Sequence, residues 1–300
     1  PKRVIFAEGE DENMLKAAIE FGKNKLGTPI LIGAENRVKE QLKKIGLDEN
    51  YKIEIVNSTD KEKREKYVKH LYKKLQREGQ LERDVDRLVR NDRIAWGSSM
   101  IACKDADAMV TGNIRHYAAS IEKLKKVVNA RPGEEIFGMT MIVSKGKTIL
   151  VADTNVTELP SAERLINISK SCVRIARLFG FEPKVAFLSH STFGKPLSRN
   201  TRHVRDAIEK LKKEKVDFDF DGEMQPDVAL NPIYQEIYPF SKIVGKANVL
   251  IMPALHSAAI STKLMKVFGG GKNIGPLLIG LRQPIEVAPL RASTSEILNL

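Results

Sequence analysis

The stretch FGMTMIVSKGKTILVADTNV, residues 137–156, reads as two strands joined by Ser144-Lys145-Gly146-Lys147, where Gly146 supplies the positive φ of a hairpin turn. The runs on either side behave differently. VIFAEG (4–9), PILIGA (29–34), IEIV (53–56), DAMVTG (107–112), VAFLSHS (185–191), NVLIMPAL (248–255) and PLLIGL (276–281) are short apolar segments separated by amphipathic helical ones. Continuous apolar strands between helices indicate parallel strands covered on both faces, so the fold class is α/β. An antiparallel hairpin inside such a chain marks the start of a second domain, and Arg131-Pro132-Gly133, after a helix over 121–128, marks the linker. The expected division is 1–133 plus 276–300 for one α/β domain and 134–275 for the other. Helix punctuation agrees: Pro160-Ser161 precedes a pattern with Leu165, Ile168, Cys172 and Ile175 on one side, and Gly180 ends it.

Composition excludes several classes. The 300 residues are 42% hydrophobic and 29% charged, ordinary for a globular chain. No apolar run approaches the roughly 18 residues a membrane span needs, and no secretory signal opens the chain, so a cytoplasmic protein is expected. Because the chain starts at Pro1, it reads as a fragment or a processed product. Cys103 and Cys172 stand far apart without a CxxC, which supports neither a disulfide framework nor a cysteine zinc site. The formal charge of +12 raises nucleic acid as a partner. Much of that charge lies in residues 61–93, where both signs mix and Val68, Leu71, Tyr72 and Leu75 share a helical face. A solvated helix explains it, and no nucleic-acid motif accompanies it.

Tested singly, the motifs stay ambiguous. GxGxxG and GxxxxGK[ST] are absent. Gly269, Gly270 and Gly271 in GGGKNIG fit either a phosphate cradle or a helix stop. Asp217 to Gly222, DFDFDG, imitates a calcium loop, but the twelfth position is Val228 and a strand edge fits as well. Five histidines show no metal-ligand spacing, so no metal is expected. His256 follows an apolar strand at the end where α/β folds place ligands, and a satisfied core histidine reads equally well. Ser191 and Thr192 in SHST end a strand in the same way, where hydroxyls can hold an oxyanion.

In order along the chain, IFAEGEDENMLKAA, ADAMVTG, VADTNVTELPSAE, LSHSTFG, DFDGEMQPDVAL and ANVLIMPALHSAAISTKLMKVFGGGKNIGPLLIGLRQPI resemble the blocks of the phosphate acetyl/butyryltransferase family over nearly all 300 residues. The resemblance implies two α/β domains with mainly parallel sheets wrapped by helices. It also implies an isocitrate/isopropylmalate dehydrogenase-like arrangement with a cleft, a homodimer or higher homo-oligomer, and binding of acetyl-CoA or a related acyl-CoA. Active members move an acetyl group between CoA sulfur and phosphate. A carboxylate takes the thiol proton, a Ser-Arg pair in the last segment steadies negative charge, and arginines of the central loop hold the phosphate.

This sequence departs at those positions. The Ser-Arg pair falls on Pro289 and Leu290, with Arg291 one residue late, and the carboxylate falls on Glu296. In the central loop the family histidine is Arg115 and a phosphate-binding arginine is Glu122. The lysine of the serine-threonine loop is Phe193, and two asparagines of the closing signature are His256 and Ala259. Losing one anion-stabilising donor commonly costs about 2.7 to 4 kcal/mol of barrier. The same replacements resemble the carboxyl-terminal part of hybrid NADP-dependent malic enzymes. That resemblance implies an oligomerising, acetyl-CoA-sensing module without acyl transfer, in which Asn113, Arg115, Ser191, Thr192, His256, Ser257, Gly269, Gly270 and Gly271 contact the ligand. NADP and a divalent metal are expected only in a malic-enzyme part outside this chain, with no cofactor, nucleic acid or membrane partner for these residues. The alternatives are an active phosphate acetyltransferase working through Arg291 and Glu296, and a purely structural dimerisation domain.

Overall fold

A computed structural model describes residues 1–47 and 52–300. The chain runs β1 (Arg3–Phe6), α1 (Glu12–Lys23), β2 (Thr28–Ile32), α2 (Glu35–Lys44), β3 (Glu54–Val56), α3 (Lys61–Leu75), α4 (Glu82–Asn91), α5 (Arg93–Ala102), β4 (Ala108–Gly112) and α6 (Tyr117–Val127). The hairpin β5 (Phe137–Ser144) and β6 (Lys147–Ala152) follows, then α7 (Ala162–Leu178), β7 (Lys184–Leu188), α8 (Arg202–Lys213) and β8 (Asp219–Met224). Two short helices, α9 (Pro226–Leu230) and α10 (Pro232–Gln235), lead to β9 (Val249–Ile251), α11 (Leu255–Phe268), β10 (Lys272–Ile279), β11 (Ile285–Ala288) and α12 (Thr294–Leu298).

Two compact units result, Pro1–Asn129 with Leu281–Leu300, and Ala130–Gly280. The boundaries therefore lie at 129/130 and 280/281 rather than at 133/134 and 275/276. Strand pairing gives the reason: β10 runs to Ile279 against β5, and the Arg131 amide donates to the Gly280 carbonyl, so both segments stay with the second unit.

The first unit holds a five-stranded sheet in the order β11-β4-β1-β2-β3, parallel at every pairing. Its strands are apolar because both faces are covered. Asp11 caps α1 through the Met14 amide, and Met14, Leu15, Ala18 and Ile19 bury one helical face with Phe6, Leu31, Val110 and Ile297. On α3 the buried residues are Tyr67, Val68, Leu71 and Leu75, so the charged segment is a solvated helix. Tyr67, not Tyr72, is its core aromatic. Its ring meets Trp96 edge-on at 4.9 Å, and its hydroxyl donates to Asp105.

The second unit holds six strands in the order β10-β5-β6-β9-β7-β8. The hairpin forms as the sequence predicts, with Ser144 opposite Lys147 and positive φ at both Lys145 and Gly146. PLLIGL departs from expectation. It forms part of β10, which lies antiparallel to β5 at the sheet edge instead of joining a parallel set. DFDFDG enters β8, the opposite edge, and Asp217 pairs with the Arg177 guanidinium at 2.9 Å. On one face α7 and α8 bury Leu165, Ile168, Cys172, Ile208 and Leu211; on the other, Met224, Val228, Ile243 and Ala258 pack on Leu188 and Leu250.

Gly112 ends β4 at φ +109, and a Cβ there would sit 2.4 Å from the Ala288 carbonyl oxygen on β11. Both the left-handed backbone and the neighbouring strand exclude a side chain. Gly112→Ala is expected to lower the unfolding free energy by about 3 kcal/mol or more, read as a shift in urea midpoint at constant m-value.

Candidate functional site

Each unit presents candidate residues beyond the carboxyl ends of its strands, where parallel sheets place ligands. In the first unit the organising group is Glu8, 1% exposed, just past β1. Its Oε1 accepts from the Thr111 hydroxyl and its Oε2 from the Gly112 amide, both at 3.0 Å, which ties β1 to the end of β4. Burial pushes its carboxyl up to about 7, against the opposing pull of the Thr111 hydrogen bond, the Arg93 and Arg115 guanidinium groups and the Gly112 amide.

The loop after Gly112 carries Asn113 and Arg115. Asn113 is buried at φ +66, a conformation asparagine tolerates; its Nδ2 donates to Asp11 at 2.6 Å, and its Oδ1 finds no partner. Arg115 lies 3.7 Å from Asp92, and its buried Nη1 makes no hydrogen bond. Asp92 is the cap of α5, accepting from Ile94 and Ala95, and also takes Lys123 at 2.5 Å. Arg115 therefore keeps donor capacity that Asp92 does not use, which suits an anion. Glu122, at the position where the resemblance puts an arginine, is exposed on α6 and pairs with Lys126.

Arg291 and Glu296 occupy the segment after β11. Arg291 has φ +58, its amide donates to the Asn113 carbonyl, and its side chain is exposed. Glu296 is the third residue of α12, and its Oε2 accepts from the Ser293 amide at 2.9 Å and the Ser293 hydroxyl at 3.0 Å. This reciprocal capping box holds the carboxylate on its own helix. Ser293 and Glu296 show the S-x-x-E signature in the sequence, a signal the reading by chemistry passed over.

In the second unit the serine-threonine loop folds inwards. Ser191 is fully buried: its hydroxyl donates to Glu223 Oε1 at 2.9 Å and meets the Ser189 hydroxyl at 3.0 Å. The Thr192 hydroxyl accepts from the Gln225 amide. Glu223, 2% exposed, also accepts from the Gly194 amide and faces Arg205 at 3.5 Å, so it is a loop organiser that spacing could not reveal. Phe193, at the family's lysine position, packs edge-on against Phe240 with centroids 4.8 Å apart.

The open surface nearby is a cavity of about 640 Å³ beyond β7 and β9. Leu159, Leu188, Pro226 and Met252 give it apolar walls, while His190, His203 and His256 supply polar edges. His203 Nε2 lies 2.8 Å from the Pro253 carbonyl oxygen, so Nε2 carries the proton and Nδ1 stays available. His256 is exposed on the first turn of α11, which removes the reading of a core histidine, and Ser257 lies beside it with its hydroxyl donating to Ala254. The glycine run is elsewhere. Gly269 ends α11, whose 14 residues separate it from His256 by about 20 Å of helix. A Cβ on Gly271 would sit 2.4 Å from the Val143 carbonyl oxygen, so these glycines stop the helix and let it lie against β5. Among the described residues no three His, Cys, Asp or Glu side chains converge as metal ligands, and no helix is long and apolar enough to cross a membrane.

The family described as phosphate acetyl/butaryl transferase matches residues 1–300. The NADP-dependent malic enzyme of Rhizobium meliloti is 42% identical over 301 residues, covering all of this chain and 40% of that protein. The phosphate acetyltransferase of Clostridium acetobutylicum is 31% identical and is 92% covered. A phosphotransacetylase structure from Streptococcus pyogenes superposes with a TM-score of 0.88 at 28% identity, covering all of this chain and 91% of that one. The chain thus spans about two fifths of the malic enzymes it matches and nearly all of the transferase.

Because Glu8 binds its proton more tightly when folded than when unfolded, its contribution to stability is complete below about pH 4.5. It falls through about pH 7, by about 3 kcal/mol in total. Glu8→Gln removes that dependence. The variant is expected to gain stability relative to the parent between pH 5 and pH 8, measured by denaturant titration at both values; a pH-independent difference would contradict the assignment.

Proposed function

Because the chain belongs to the phosphate acetyl/butaryl transferase family, we propose that it is a phosphotransacetylase-like module that binds acetyl-CoA without transferring its acetyl group. The observation that carries this reading is the segment after β11. Pro289 and Leu290 offer no hydroxyl or guanidinium where transfer needs both. Arg291 stands one residue late, with a left-handed backbone whose amide is bonded to the Asn113 carbonyl and a side chain exposed at the surface. Glu296 would have to leave its capping box, at a cost of about 1 kcal/mol, before it could accept a thiol proton. The missing anion stabilisation costs more, about 2.7 to 4 kcal/mol per donor.

The second unit's cavity suits the ligand. Its volume lies within the ordinary range for small-molecule sites, and its apolar walls with histidine edges match a pantetheine arm ending in a thioester. His190, His203, His256 and Ser257 are its polar contacts in this reading. Ser191 supports it from behind, since its hydroxyl proton goes to Glu223, while the Thr192 hydroxyl accepts from the Gln225 amide and keeps its proton to donate.

In this reading the module also assembles an oligomer and senses acetyl-CoA, and the likeness to an NADP-dependent malic enzyme assigns malate oxidation, NADP and a divalent metal to residues outside this chain. A second copy is the partner of α11. Ile260, Leu264, Val267 and Phe268 form an exposed stripe at helical spacing, Phe268 being 83% exposed, and monomers rarely leave such a stripe open.

Isothermal titration with acetyl-CoA to about millimolar concentration is expected to give saturable heat, while acetyl phosphate plus CoA gives no thioester absorbance. Turnover that disappears in Glu296→Gln would reverse the reading in favour of an active phosphate acetyltransferase. Separately, Leu264→Glu with Phe268→Glu is expected to halve the mass seen by sedimentation without lowering the helical signal; an unchanged mass would place the dimer contact elsewhere.

A further inference from the structure

The first unit contains a basic cavity that the acetyl-CoA reading does not use. It measures about 660 Å³ and lies between α3, the ends of α5 and α6, and the residues leading into β11. His70, Lys73, Lys74 and Arg282 line it, and no carboxylate does. Apolar floor comes from Ile101, Val127, Val128 and Pro284.

Helix capping accounts for one of the four basic groups. Lys74 Nζ donates to the Lys126 carbonyl at 3.1 Å, satisfying an end of α6. His70, Lys73 and Arg282 make no ion pair among the described residues, and of these Lys73 also lies in the last turn of α3, where a cation answers the helix dipole. Two exposed cations, Lys73 and Arg282, thus flank a cavity with no carboxylate in its wall, an arrangement whose positive potential an anion complements. Burial pulls the Lys74 ammonium below its usual range against the pull of Glu78, and burial, then Lys73, does the same to His70.

A second observation narrows the ligand. Gln283, also in the cavity wall, has a buried Oε1 with no hydrogen-bond partner. A buried acceptor without a donor costs about 1 to 3 kcal/mol, and turning the Gln283 side chain towards the cavity would let a ligand donor relieve it. Bare phosphate meets the cations but not this carbonyl, and fills only a small part of the space.

We propose that this cavity is a second ligand site, for a small phosphorylated molecule of nucleoside-monophosphate size whose apolar or planar body carries a hydrogen-bond donor. The phosphate takes Lys73 and Arg282, the body lies on Val127, Val128 and Pro284, and an exocyclic amine or hydroxyl donates to Gln283 Oε1. The proposal is independent of acetyl-CoA binding in the second unit.

Adenosine 5′-monophosphate is the probe, titrated calorimetrically into the intact chain beside adenosine and inorganic phosphate. Saturable binding is expected, at least about tenfold tighter than adenosine, and weakened about tenfold or more in Lys73→Ala/Arg282→Ala. Both residues are exposed, so the thermal midpoint of the double variant should match the parent. Gln283→Leu should weaken the nucleotide while leaving inorganic phosphate unchanged. No saturable heat up to about 10 mM, or equal affinity in the double variant, overturns the proposal. Acetyl-CoA titrated into the same variant separates the two readings. Loss of nucleotide-dependent heat with acetyl-CoA binding intact in parent and variant is the expected pattern for a site of its own. Weakening of both would show that the nucleotide end of acetyl-CoA is the phosphorylated ligand. If the parent binds the nucleotide and not acetyl-CoA, only the reading of the second unit fails.

Discussion

A carboxylate buried at the end of a parallel strand must find amides or hydroxyls to replace the water it has lost, and in this chain that requirement shapes the loops around the candidate sites. Glu8 takes the Thr111 hydroxyl and the Gly112 amide. Asp153, just past β6, accepts from the Gly138, Asn155, Val156 and Thr157 amides and so fixes the exit from the hairpin. Glu223, near the end of β8, gathers Ser191 and Gly194. Each carboxylate trades hydration for a fixed loop geometry, and each loop then presents or withholds a side chain.

The same bonds decide what is left for a ligand. Ser191 has the chemistry of an oxyanion site, but Glu223 already takes its hydroxyl proton, whereas the Thr192 hydroxyl accepts from the Gln225 amide and keeps its proton. His190, His203 and His256 reach the cavity because the strand ends behind them are closed. In the first unit Asn113 is held by Asp11 through its amide nitrogen and keeps its oxygen unpaired, and Arg115 keeps a donor that Asp92 does not reach. In the segment after β11, Glu296 serves the capping box of α12, and the Arg291 amide is bonded to the Asn113 carbonyl while its side chain stays exposed.

Local pattern made the fold readable. Apolar runs of four to six residues marked most of the strands, SKGK marked the hairpin turn, and Pro160-Ser161 marked the start of α7. What local pattern could not carry was pairing direction: PLLIGL looks like any parallel strand, and only its position against β5 makes it an antiparallel edge. Long-range partners were equally hidden. Glu8 lies in a run rich in acids, AEGEDE, and nothing in that run says which carboxylate will be buried.

The sequence by itself determined the α/β class, the hairpin that opens the second unit, the family resemblance and the presence of Pro289 and Leu290 where that resemblance puts a Ser-Arg pair. These follow from residue type and order, which short-range sterics and burial periodicity convert directly into structure. Tertiary structure alone decided that Ser191 faces a buried glutamate, that Glu8 ties β1 to the end of β4, and that unpaired cations surround a cavity with Gln283 in its wall. Those facts depend on which groups meet across 30 to 280 residues of chain, and a hydrogen bond or an ion pair exists only once both partners have been brought within about 3 to 4 Å.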